Sequence, residues 1–112
     1  MIRAADEKLI DSMKEIIVQT TNPRRIVLFG SYAAGTATKD SDADFLVIED
    51  DPFGPGRSRR KEAAKIWAAL LPFEIAKDIL VYSLDEVKRY ENNPQHVVGQ
   101  AIKTGRILYE RQ

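Results

Sequence analysis

The stretch Gly30–Asp44, GSYAAGTATKDSDAD, decides how this chain is read. It follows the hydrophobic run Arg25-Ile26-Val27-Leu28-Phe29 and leads into a second, Phe45-Leu46-Val47-Ile48. Both runs read as short buried strands. Between them a Gly-Ser turn is followed, after ten residues, by an Asp-x-Asp pair. A strand that ends in Gly-Ser and turns into a helix aims backbone N–H groups at open space, and those donors favour an anion. Gly30 lets the backbone come close and take unusual dihedrals. Ser31 adds a hydroxyl donor and reads as the N-cap of a short helical turn over residues 31–36. Alone, a Gly-Ser after a strand is more often only a turn.

Asp42 and Asp44 sharpen the reading. On an extended segment, residues i and i+2 share a face, roughly 6.5–7 Å apart at Cα, so the two carboxylates can converge on shared divalent ions. Two metals about 3.5–4 Å apart hold the attacking and leaving oxygens of a phosphoryl displacement. Without metal, carboxylates about 4 Å apart repel by about 4 kcal/mol at an effective dielectric of about 20. The bland alternative is a solvated acidic loop. Here Asp44 opens directly into an apolar strand, which fixes the pair at a strand end. Asp78 is the third candidate, at the start of Ile79-Leu80-Val81 in a strand expected over residues 75–82. Beside the second strand it would complete an acidic triad; the alternative is an aspartate paired with Lys77 or Arg106. Asp40, Asp42 and Asp44 also mimic the opening of a calcium loop. However, Phe45 stands where that loop needs glycine and Asp51 where it needs glutamate, so calcium is rejected.

The flanking sequence frames this site. Residues 4–20 read as an amphipathic helix with Leu9, Met13, Ile16, Ile17 and Thr20 on one face, stopped at Asn22-Pro23. Residues 51–56 read as a loop. Residues 57–71 read as a helix that buries Ala63, Ala64, Ile66, Trp67, Leu70 and Leu71. Ser83-Leu84-Asp85-Glu86 fits a capping box. A last helix is expected over residues 95–104, stopped by Gly105, and a final strand over residues 106–109. Helices alternating with short strands predict an α/β (α+β) class with a small sheet covered by helices. The basic run Arg57, Arg59, Arg60 and Lys61 reads as a solvated helix face, with contact to phosphates or to an acidic partner as the alternative. His96 reads as solvent-exposed in a polar turn. Tyr32 either lines a nucleotide pocket or packs.

Composition bounds the function. The chain has 112 residues, 44% apolar, with 17 acidic and 17 basic side chains and no cysteine. Zero net charge gives no field for nonspecific nucleic-acid or membrane binding. Without cysteine, neither a disulfide framework nor a thiolate metal site can form. The N-terminal stretch is charged and lacks an apolar signal core. No apolar run approaches the roughly 20 residues of a membrane span. The expectation is a cytoplasmic protein forming one domain over residues 1–112, with no membrane contact and no direct nucleic-acid binding.

With Gly30, Ser31, Asp42, Asp44 and Asp78 in order and spacing, nearly the whole chain resembles a minimal nucleotidyltransferase of the DNA polymerase beta superfamily. The combined pattern is specific, although its pieces are not. The resemblance implies a polymerase-beta-like fold with a small mixed sheet flanked by helices. It implies that Gly30 and Ser31 bind the phosphates of a nucleoside triphosphate, with ATP as donor. It further implies that Asp42 and Asp44 hold two Mg2+ ions, and that Asp78 ligates one of them and helps activate an acceptor hydroxyl. Many relatives carry a basic residue shortly after the Gly-Ser, where this chain has Ala33 and Ala34. That phosphate contact is therefore absent here or comes from elsewhere. No length remains for a separate substrate domain, so the acceptor is expected to be a macromolecule, or a second subunit completes the pocket. Proteins of this kind act as antitoxins that transfer AMP to a tyrosine of a HEPN-domain ribonuclease toxin, which implies a hetero-oligomer with that toxin. Two alternatives stay open: an antitoxin that acts by binding alone, and a small-molecule nucleotidyltransferase akin to antibiotic-modifying enzymes.

Overall fold

The computed structural model describes residues 4–112, with side chains from Asp6 onward. The first helix, α1 (Ala4–Thr21), buries Ile10, Met13 and Ile17 and half-buries Leu9 and Ile16. Asn22 ends it with φ 48°, the left-handed conformation that Asn tolerates just past a helix. Strand β1 (Arg25–Phe29) leads through Gly30 into the single turn α2 (Ser31–Ala34). Strand β2 (Ala43–Glu49) follows, then α3 (Arg59–Ala69) and β3 (Lys77–Ser83). The chain closes with α4 (Leu84–Tyr90), α5 (Val97–Thr104) and β4 (Arg106–Glu110).

The four strands form one mixed sheet in the order β3-β2-β1-β4. β1 runs antiparallel to both β2 and β4, and β2 runs parallel to β3. This is the small mixed sheet flanked by helices that the resemblance implies. Alternation along β2 divides the core. Ala43, Phe45 and Val47 pack with Ile10, Met13 and Ile17 of α1, Ile66 of α3 and Leu70 just after it. Leu46 and Ile48 pack with Val87 of α4 and Val98 and Ala101 of α5.

Several local expectations need correction. Helix α3 is shorter than residues 57–71, because Ser58 caps it by accepting from the Lys61 N–H at 3.2 Å. It buries Ile66, with Leu70 at its C-cap also buried, while Trp67 and Leu71 are 47% and 56% exposed and Ala64 is also exposed. It lies against β3, an edge strand, so only a narrow stripe of the helix is covered. His96 is half-buried rather than solvent-exposed. It stacks on Tyr90 with centroids 4.0 Å apart, and its Nδ1 accepts the Val98 N–H to cap α5. Gly105 ends α5 without a positive φ; a Cβ there would overlap Ala101 O, so close packing excludes a side chain. The capping box at Ser83 forms as expected, with the Ser83 N–H donating to Glu86 Oε1 at 2.9 Å.

Candidate active site

The candidate residues lie at one end of the sheet, where β1 ends and β2 and β3 begin. Asp44 is the second residue of β2 and stands opposite Phe29 in the antiparallel pairing with β1. It also stands beside Asp78 in the parallel pairing with β3. Paired residues in register project to the same face of a sheet, so Asp44 and Asp78 share one. The Ala43 N–H donates to Ala76 O at 2.8 Å and locks the start of that pairing. Asp42 precedes β2 in a loop held by the Thr38 N–H donating to Ser41 Oγ at 2.9 Å.

Gly30 sits directly against Asp44. Its φ of 73° is a conformation that favours glycine, and a Cβ there would overlap the Asp44 carboxylate. Glycine at this position is thus what allows the turn to close onto the carboxylate. The geometry also corrects the capping expectation. Gly30, not Ser31, is the N-cap of α2, with its carbonyl accepting the Ala34 N–H at 3.0 Å. Ser31 is the first helical residue and is half-buried. One turn of helix carries little dipole, so any anion affinity here rests on local N–H donors and the Ser31 hydroxyl. Tyr32 is buried in the core, which is the packing alternative for that residue.

Electrostatics ties the three aspartates together. Asp44 is half-buried, whereas Asp42 and Asp78 are exposed. Its own burial pushes the Asp44 carboxyl above the ordinary range, and the charges of Asp78 and Asp42 push it further. Among the described residues none of the three has an ion pair. Lys77 donates to Phe73 O at 3.2 Å, and Arg106 pairs with Glu7 at 2.9 Å, so neither takes Asp78 as the salt-bridge alternative required. The apolar run after Asp78 does not bury it, because the side chain stands exposed at the sheet edge.

Hard carboxylate oxygens without a cation of their own suit Mg2+. Among the described residues no three His, Cys, Asp or Glu side chains close into a metal cage. The basic run lies elsewhere. Arg57 pairs with Glu49 at 2.7 Å, and Arg59 forks onto Glu86 and donates to Val81 O at 2.8 Å. These arginines hold the opposite end of the sheet, so the reading as a solvated face fails for both of them. Among the described residues no helix is long and apolar enough to cross a membrane.

A family model described as "Polymerase beta, Nucleotidyltransferase" matches residues 11–112. Among solved structures, the chain is similar to one in the crystal structure of a toxin–antitoxin with AMP-PNP. The identity is 24% and the TM-score 0.57, over 91% of this chain and 74% of that one. It is also similar to a nucleotidyltransferase from Sulfolobus solfataricus, described as putative. There the identity is 18% and the TM-score 0.60, over 93% of this chain and 79% of that one. A third similar chain belongs to a mutant of the toxin–antitoxin MntA-HpeT that carries two Asp-to-Glu changes two positions apart. Its identity is 22% and its TM-score 0.55, over 91% of this chain and 74% of that one. At these identities the structural likeness speaks for the fold. No curated protein matches the chain significantly.

Proposed function

Since the chain belongs to the polymerase beta nucleotidyltransferase family, we propose that it transfers AMP from ATP to a hydroxyl on a protein, a tyrosine of a HEPN-domain toxin, and so acts as an antitoxin. The observation that carries this reading is the group Asp42, Asp44 and Asp78, free of ion pairs among the described residues, with Asp44 seated against Gly30. The toxin–antitoxin chains to which this one is similar supply the partner class, and the AMP-PNP of one supplies the donor class.

In this reading the backbone at Gly30 and the Ser31 hydroxyl hold the triphosphate. Asp42 and Asp44 would hold two Mg2+ ions, which would supply Lewis-acid stabilisation to the phosphoryl displacement. Asp78 orients the acceptor hydroxyl and receives its proton. The acceptor oxygen forms a bond to the α-phosphorus. The bond from that phosphorus to the bridging oxygen breaks, and pyrophosphate leaves with the electron pair.

The test is label transfer from α-labelled ATP with Mg2+ to the co-purifying toxin, beside Asp44→Asn. Label on the toxin that is absent with the variant is the expected result. An unlabelled toxin held in a tight, inactive complex would make this a binding antitoxin instead.

A further inference from the structure

A cavity of about 240 Å³ opens at the far end of the sheet from the aspartates, between the end of α1, the turn after β2 and the start of α3. Four carboxylates line it, Glu49, Asp50, Asp51 and Glu62, against the two guanidiniums of Arg57 and Arg111. Asp50 is satisfied, held by Arg111 and, from the rim, by Arg24 at 2.9 Å. Glu49 is not. It is 5% exposed, and its Oε2 has no hydrogen-bond donor. A buried carboxylate oxygen left unpaired costs the fold stability.

The nearby cations are committed elsewhere. Arg57 donates to Glu49 Oε1 at 2.7 Å and to Asp51 O at 3.3 Å, and its guanidinium lies 4.4 Å from the Phe53 ring centroid. Lys65 reaches Glu62 at 3.4 Å. The end of α1 adds to the pull on a further cation. Thr21 and Asn22 line the cavity, and this helix of 18 residues has no basic residue in its last turn. Pro23 has no N–H, and the Arg24 N–H goes to Ile48 O at 2.7 Å, so neither returns to the helix end. Arg111 donates to Asn22 O at 3.0 Å, and the carbonyl dipoles there favour positive charge.

The donor set selects the kind of cation. A hard divalent ion asks for about six or more oxygens, and among the described residues no three acidic side chains close into a metal cage. A primary ammonium has three N–H donors and a single charge, so Arg57 repels it half as strongly as a divalent ion. Glu49 Oε2, the Glu62 carboxylate and a carbonyl at the end of α1 are three acceptors around one cavity.

We propose that this cavity binds a primary ammonium group, carried by a polyamine or by a lysine side chain, between Glu49 and Glu62. The proposal does not depend on the nucleotidyltransferase reading.

The test is isothermal titration of the whole protein with spermidine and with N-acetyl-lysinamide, beside tetramethylammonium, which has the charge but no N–H. Saturable binding of at least one of the two amines is expected, with none of tetramethylammonium. Tighter spermidine makes the ligand a free polyamine, and tighter N-acetyl-lysinamide makes it a protein lysine. Glu49→Gln and Glu62→Gln should each weaken binding about tenfold or more, the size of one charge-assisted hydrogen bond. The double variant Asp42→Asn, Asp44→Asn should bind as the native protein does. Burial and Glu62 push the Glu49 carboxyl up to about 7, so binding should weaken as pH falls below that value. No saturable binding of either amine would overturn the proposal and leave a proton alone on Glu49. Equal binding of tetramethylammonium, or unchanged binding in both glutamine variants, would also overturn it. Displacement of the amine by Mg2+ in the double variant would make the cavity a metal site instead.

Discussion

At one end of β2, Asp44 stands with Asp42 and Asp78, and among the described residues no arginine or lysine pairs with any of them. At the other end, Glu49 is only 5% exposed and is bound by Arg57 at 2.7 Å. Around that far end the pairing repeats. Arg24 and Arg111 hold Asp50, Arg59 holds Glu86, and Arg25 holds Glu110. One strand thus carries carboxylates managed in two ways. Where a carboxylate serves the fold, the chain supplies the cation. For the three aspartates no such pairing is found among the described residues. The contrast is stronger than an acidic cluster alone, because it shows what this chain does when a carboxylate is structural.

The far end is not free of strain. Glu49 Oε2 is buried without a hydrogen-bond donor and stands near Glu62. Burial, followed by the Glu62 carboxylate, pushes Glu49 up to about 7, against the pull of Arg57.

The comparison breaks first at Gly30. Gly30→Ala places a Cβ on the Asp44 carboxylate and strains a positive φ. Transfer should fall by about 100-fold or more, as for a misplacement of about 1 Å, and stability by about 1–3 kcal/mol. Full transfer by this variant, measured beside chemical denaturation, would mean that the seating of Asp44 is irrelevant. At the paired end the pattern should invert. Arg59→Ala strips the fork from Glu86 and should cost about 1–2 kcal/mol, discounted for partial exposure, with transfer per folded molecule unchanged. Arg59 holds Glu86 down at about 2. That stabilisation is complete above the ordinary value of 4.5 and disappears as pH falls through about 2. Acid denaturation of the variant should therefore lack this component.

Glu49→Gln should show the smallest effect and the opposite sign. A raised carboxyl means that the folded state holds its proton more tightly than the unfolded chain. Native stability is therefore lost as pH rises from 4.5 to about 7, and no further above that. Glutamine keeps an acceptor for Arg57, offers Glu62 a donor, and does not titrate. The variant should gain about 1 kcal/mol on the native protein above that window and lose the slope within it. Parallel stability curves across the window would remove the raised Glu49 carboxyl from the account.

The site end was the more legible in sequence because its parts are local. Gly30, Ser31, Asp42 and Asp44 lie within one strand–turn–strand segment, and Asp78 opens the next strand. The paired end was not, because its contacts join residues far apart in the chain. Arg59 meets Glu86 across 27 positions and Arg25 meets Glu110 across 85; of the basic run that looked solvated, Arg57 and Arg59 are clamps while Arg60 and Lys61 are exposed. Trp67 was misread because helical spacing shows which residues share a face, not how much of that face the rest of the fold covers. His96 was misread because Tyr82 and Tyr90, which enclose it, come from other elements.

The most direct test of the contrast is thermal unfolding with and without Mg2+ and a non-hydrolysable ATP analogue, for the native protein and for the double variant Asp42→Asn, Asp44→Asn. The account predicts that the double variant starts with the higher Tm, because charge repulsion is relieved. It also predicts that only the native protein gains several degrees when ion and nucleotide are added. An equal gain in both proteins would contradict the claim that these aspartates await a cation from outside.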